Sequence, residues 1–198
     1  MKRIRIVAWV AVAALLAAVG LAFLLRPGAI NMPATLPLSA KIGGPFELTT
    51  HEGRRMSSAE LAGKPFAVFF GFTHCPDVCP TTLLELSALI EKLGPAADRM
   101  RFLFISVDAE RDTPEQLKLY LSNFNSRITG LTGTPAEIAA VARAYGAFYQ
   151  KVPTKNDFTY NHTAIVYLMG PDGHRVATLA DKEPEDVRLA KLKRLIGV

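Results

Sequence analysis

Apolar residues run uninterrupted by charge from position 6 to 25, then recur in short blocks separated by polar segments rich in proline and glycine. The first block, about twenty residues, is long enough to cross a bilayer core of about 30 Å. Met1-Lys-Arg-Ile-Arg5 precedes it, and basic flanks stay on the cytoplasmic side, so the pattern predicts one N-terminal transmembrane helix with everything after Arg26 exported. A cleaved signal peptide is the alternative, with Ala18-Val-Gly20 as its small-x-small site. Leu21-Ala-Phe-Leu-Leu25 carries the apolar run past that site and favours an uncleaved anchor over residues 1–26. No cysteine follows the segment, which leaves no place for a lipoprotein anchor.

Pro27-Gly28, Pro33 and Pro37 mark residues 27–41 as a spacer without periodic pattern. Residues 42–198 then hold one domain's worth of alternating elements. Phe46-Glu-Leu-Thr-Thr50 and the turn His51-Glu-Gly53 predict a short strand pair, and Ser57-Ser58-Ala-Glu60-Leu61 a capped helical turn. The apolar runs 65–72 and 101–107 predict buried strands. Leu83, Leu84, Leu86, Leu89 and Ile90 have helical spacing, giving a helix from Pro80 to about Leu93 closed by Gly94-Pro95. Thr113-Pro114 and Thr134-Pro135 open two more helices, to about Phe124 and Tyr145. Residues 164–169 and 175–179 flank Gly170-Pro-Asp-Gly173 as a hairpin, and a last helix covers 184–196. Strand, helix, strand, helix with short connections argues an α/β domain with parallel strands and right-handed crossovers.

The chain has two cysteines, and both lie in Gly71-Phe-Thr-His-Cys75-Pro-Asp-Val-Cys79-Pro-Thr81, between a strand and a helix. Pro80 suits the first helical position, which makes Cys79 the expected N-cap. Both sulfurs then sit near the positive end of a helix dipole, where a thiolate is favoured. A disulfide across so short a loop removes little unfolded-chain entropy, so a purely structural bridge is the weaker reading. Redox chemistry and metal binding stay open. A reactive cysteine pair after a central strand, followed later by an antiparallel hairpin, is the layout of the thioredoxin fold. The usual spacing there is two residues, and three here widen the pair and leave room for another ligand.

Charge changes the picture only by exclusion. The formal net charge is +5, but taking Lys2, Arg3, Arg5 and Arg26 from 23 basic residues leaves 19 against 18 acidic ones in the remainder. These basic residues form no stripe interleaved with aromatics, so nucleic-acid binding is not expected.

Four histidines are candidates for the third ligand. His51 and His174 lie in turn sequences and are expected to be solvated, while His74 should point away from Cys75 in an extended segment. His162, in Tyr160-Asn-His-Thr163, stands just before the hairpin strand, where thioredoxin-like folds place the loop over the cysteine turn. Two thiolates and one imidazole suit soft Cu(I) and can hold Cu(II), whereas zinc normally takes a fourth ligand. Lys151-Val-Pro-Thr-Lys-Asn-Asp157 reads as a hairpin excursion able to bring His162 to the cysteines. Asp77 either tunes the cysteines or caps the turn, and Met56, Met100 and Met169 are expected to be packing residues.

Gly71-Phe-Thr-His-Cys-Pro-Asp-Val-Cys-Pro-Thr81, Asp108-Ala-Glu-Arg-Asp-Thr-Pro114 and Tyr160-Asn-His-Thr163 before Tyr167-Leu-Met-Gly-Pro-Asp-Gly173, in that order, resemble the Sco/SenC family of membrane-anchored, thioredoxin-like copper proteins. The resemblance covers about residues 40–198. It implies copper held by Cys75, Cys79 and His162, and help in building the binuclear copper A centre of cytochrome c oxidase subunit II, by copper delivery, by reduction of the target cysteines, or both. It also implies a bacterial inner-membrane protein with its domain in the periplasm, working with other copper chaperones or thiol reductants. Ala109 replaces a frequent proline, and Asn161 a frequent aspartate whose charge would affect the imidazole. The competing reading is a metal-independent periplasmic thiol-disulfide oxidoreductase using Cys75 and Cys79. A thiol peroxidase fits the paired spacing less well.

Overall fold

Six consecutive residues, Phe66–Gly71, are all buried, and this run forms an interior strand of a seven-stranded sheet. The structure, a computed structural model, describes residues 42–198 together with Trp9, Val12, residues 14–18 and Leu21, which are helical and exposed. The expected membrane helix therefore lies for the most part outside the described residues, as does the spacer. Among the described residues no helix is long and apolar enough to cross a membrane.

In chain order the strands are β1 (Glu47–Thr50), β2 (Arg55–Ser57), β3 (Phe66–Gly71), β4 (Arg101–Ser106), β5 (Ile128–Thr132), β6 (Tyr149–Pro153), β7 (Phe158–His162), β8 (Val166–Met169) and β9 (Arg175–Leu179). The helices are α1 (Val78–Leu93), α2 (Pro114–Leu121), α3 (Pro135–Tyr145) and α4 (Glu185–Ile196). The large sheet runs β2-β1-β5-β4-β3-β8-β9, and β6 and β7 form a separate two-stranded sheet. β3, β4 and β5 are parallel, while β1, β2, β8 and β9 pair antiparallel. This mixed α/β sheet is of thioredoxin type. Strands covered on both faces read as continuous apolar runs, and each fully buried Phe or Val of β3 contributes about 1.5–3 kcal/mol. α1 packs beside α4, where Arg188 pairs with Glu85, and α2 lies on β5.

Three departures from the sequence expectation have physical causes. β5 is not predicted by the hydropathy pattern, because Gly130 and two threonines interrupt its apolar positions, yet it pairs with both β4 and β1. α2 ends at Leu121 rather than Phe124, since Ser122 Oγ and Asn123 Nδ2 donate back to the Leu119 and Tyr120 carbonyls and compete with the helical ladder. α1 begins two residues before Pro80, with Asp77 as N-cap, so Cys79 is inside the first turn rather than capping it. Proline fits there because the first N–H groups of a helix have no intrahelical partner. The caps of α2 and α3 are as expected: Thr113 accepts from Gln116 N, and Thr134 and Glu137 form a capping box.

The topology sets up one functional edge. Gly71 pairs with Ser106, so the loops leaving parallel strands β3 and β4 emerge side by side. β8 is antiparallel to β3 with Val166 opposite Phe69, so the chain entering β8 arrives at that same end. The loops carrying Cys75 and Asp108 and the end of β7 carrying His162 thus meet outside the carboxyl end of the parallel strands, the usual site of chemistry in open α/β sheets.

Candidate metal centre

Cys75 Sγ, Cys79 Sγ and a ring nitrogen of His162 all lie within 4.8 Å of one another. Each element supplies its ligand for a local reason. Cys79, in the first turn of α1, is fully buried, with its sulfur over Gly71, while Cys75 in the preceding loop is half-buried. His162 ends β7, where its ring meets Phe72 edge-on at 5.7 Å and Phe69 at 6.1 Å between centroids. Its Nδ1 lies 3.1 Å from the Thr163 carbonyl. A carbonyl only accepts, so Nδ1 carries the proton, and Nε2, 3.4 Å from Cys79 Sγ, keeps its lone pair toward the sulfurs. Second contacts of this kind fix the tautomer of ligating histidines.

The cysteines differ in acidity. Cys75 is lowered to about 3, first by the neighbouring Cys79 thiol and further by the backbone N–H groups of Asp77 and Cys79, against the opposing effect of burial. Cys79 is pushed up by the hydrogen bond its thiol donates to the Cys75 sulfur, by burial and by the Cys75 charge. The pair therefore holds one thiolate, on Cys75, and one thiol. The Cys79 proton has two acceptors beside it, the Cys75 sulfur and His162 Nε2.

Of the other candidates, His74 lies outside the cluster. Its Nδ1 is 3.1 Å from Thr73 Oγ1 and 3.8 Å from an Asp112 oxygen. His51 is not simply solvated, as the sequence suggested. Its Nδ1 accepts from Gly130 N at 2.9 Å, helping to hold β5 beside the turn after β1. His174 is half-buried, with a buried Nδ1, and also departs from the solvated expectation. Met56, Met100 and Met169 are core residues. Asp77 makes no side-chain cap; its N–H instead serves Cys75.

The sequence reading used Asp108-Ala-Glu-Arg-Asp-Thr-Pro114 as a family motif and gave none of its acidic or basic residues a role at the site, but Asp108, Arg111 and Asp112 build its wall. Asp112, almost wholly buried, accepts from Thr73 N at 2.9 Å and Thr73 Oγ1 at 2.7 Å, and from Ser106 Oγ at 2.5 Å. It thereby ties the cysteine loop to β4. Asp108, fully buried, pairs with Arg111. His74, Asp108 and Asp112 also lie within 4.8 Å of one another, but the carboxylates are already engaged by these donors. A buried aspartate six residues from a strand end was legible as unusual only once its Thr73 partner was known.

The described domain has close relatives. The family model described as SCO1/SenC matches residues 34–197. "Protein SCO1 homolog 1, mitochondrial" of Arabidopsis thaliana is 40% identical over 161 residues, covering 75% of this chain and 48% of that protein. The chain spans about half the length of the curated relatives it matches first. The structure of Bradyrhizobium japonicum ScoI with copper bound is 49% identical, covers 78% of this chain and 99% of that one, and has a TM-score of 0.74. BsSco, described as a member of the Sco family of cytochrome c oxidase assembly proteins with a disulfide switch, is 27% identical over 80% of this chain and 95% of its own, with a TM-score of 0.65. Since the family match takes in every strand and helix of the described domain, the chain belongs to the SCO1/SenC family.

Proposed function

We propose that this chain binds copper, as Cu(I), Cu(II) or both, through Cys75, Cys79 and His162, and that it serves in assembly of the copper A centre of cytochrome c oxidase subunit II. The observation carrying this reading is the convergence of two sulfurs and an imidazole nitrogen whose far side is already bonded to the Thr163 carbonyl. That donor set fits a soft monovalent copper ion with no fourth ligand. Cys75 is already a thiolate; Cys79 must release its proton for the metal to bind, and His162 Nε2 must be free of one. The copper-bound ScoI relative and the assembly role given for BsSco support the assignment.

A second activity is favoured by the asymmetry of the pair. The Cys75 sulfur is the accessible one and Cys79 is buried, the arrangement of an attacking and a resolving thiol. In reduction of a target disulfide, the Cys75 thiolate attacks one target sulfur and the other leaves as thiolate. Cys79, losing its proton to His162 Nε2, then attacks the Cys75 sulfur and displaces the target sulfur bonded to it. Two electrons pass: the target becomes a dithiol and this chain a disulfide. We place the domain on the periplasmic side of a bacterial inner membrane, held by residues 6–25, on the charge pattern of the N-terminus.

The test is to mix the copper-loaded, reduced chain with the metal-free copper A domain of subunit II. Appearance of the copper A absorption, lost with His162→Ala, supports delivery. Conversion of an oxidised target to its dithiol by both forms, with no copper transfer by either, would overturn the delivery role in favour of a metal-independent thiol reductase.

A further inference from the structure

The loop after β4 grips both halves of the site. On one side Asp112 holds Thr73, two residues before Cys75. On the other, Arg111 reaches the β6–β7 hairpin that carries His162: Nη1 donates to Asp157 Oδ2 at 2.9 Å and to the Phe158 carbonyl at 3.1 Å. The guanidinium carbon lies 3.8 Å from the centroid of the Phe158 ring. Lys151 Nζ lies 3.7 Å from the same centroid and bonds Glu110, on the same loop, at 2.6 Å. The other end of the guanidinium is anchored on buried Asp108.

The hairpin needs such a tie. Among the described residues its strands pair only with each other, and a two-stranded hairpin alone is marginal. Tyr160 and His162 pack against Phe72 at its base, contacts that are less directional than a charged hydrogen bond. The forked guanidinium, bonded to Asp108 and to two hairpin oxygens together, fixes position and direction.

We propose that Arg111 is a positioning residue that sets the distance between His162 and the cysteine pair by docking the hairpin onto the loop after β4. Its effect on copper rests on the function proposed above; its effect on the hairpin does not. Lysine at this position keeps the charge and loses the fork, so it cannot hold both ends.

The experiment uses the whole reduced chain in detergent with Arg111→Lys, Asp157→Ala and His162→Ala. Hydrogen exchange is read on the metal-free protein, and affinity and the sulfur-to-copper absorption are read with copper alone. Arg111→Lys is expected to speed exchange of the β6–β7 amides while those of β3 and β4 stay protected. It should also weaken copper about 10–100-fold, with a spectrum shifted toward that of His162→Ala. Asp157→Ala should move both readouts the same way by less, and it decides the matter if Arg111→Lys does not fold. Unchanged hairpin exchange in these variants would overturn the proposal. If the unaltered chain takes no copper, the copper function falls and the exchange readout alone judges Arg111.

Discussion

Cys79 and Gly71 are in contact through what Gly71 lacks: a Cβ on residue 71 would stand 2.7 Å from the Cys79 sulfur, and 2.7 Å from Phe104 Cε2. β3 thus ends in the one residue that lets the buried sulfur of α1 settle over the sheet. Gly71→Ala must push either the sulfur or the Phe104 ring, and overpacking of this kind costs about 1–3 kcal/mol. Urea denaturation should show that loss, and copper affinity should fall with it because one of the sulfurs has moved.

The cysteine acidities give a pH dependence of known sign. Cys75 is lowered from 9.0 to about 3, so its thiolate contributes stability that is complete above the ordinary thiol value and fades as pH falls toward 3. Cys79 is raised, so its thiol form contributes stability below the ordinary value that is lost at alkaline pH. Iodoacetamide should therefore modify Cys75 alone, at a rate nearly flat between about pH 5 and 8, where an ordinary thiol gains about tenfold per unit. Peptide mapping of the alkylated, metal-free protein checks both points.

Asp112 accepts three hydrogen bonds, from Thr73 N, Thr73 Oγ1 and Ser106 Oγ. Asparagine at 112 turns one accepting oxygen into a donor facing other donors. Asp112→Asn should lower stability by about 2–3 kcal/mol and loosen the loop before Cys75, seen as faster alkylation of Cys79.

Thr134→Ala supplies the contrast. It removes the side-chain half of the capping box of α3, a helix that supplies none of the three ligands, and should cost about 1 kcal/mol in urea denaturation. Copper affinity and Cys75 reactivity should be unchanged, which separates general destabilisation from damage to the site.

Much of this was legible in the chain. The unbroken run of β3 and the proline-opened helices announce themselves, because burial on both faces and a missing N–H leave unmistakable patterns. Cys75, Cys79 and His162 are the three side chains the sequence picks out, and the parallel pairing of β3 with β4 and the antiparallel entry of β8 bring them to one edge. β5 was hidden because its identity comes from its neighbours rather than its own residues. Arg111 and Asp112 were read as part of a motif but without a role, since their partners, Asp157 and Thr73, lie 46 and 39 residues away and no local spacing encodes such a contact. His51 was misread for the same reason: its partner is Gly130.

The central claim is a copper centre of two sulfurs and one imidazole. An anaerobic copper(I) titration of the reduced chain, beside Cys75→Ser, Cys79→Ser and His162→Ala, tests it most directly. The account predicts one tightly bound copper per chain, lost or strongly weakened in all three variants, while His162→Ala keeps a reversible dithiol couple. Copper held equally well by His162→Ala, or no copper held by the unaltered chain, would contradict it.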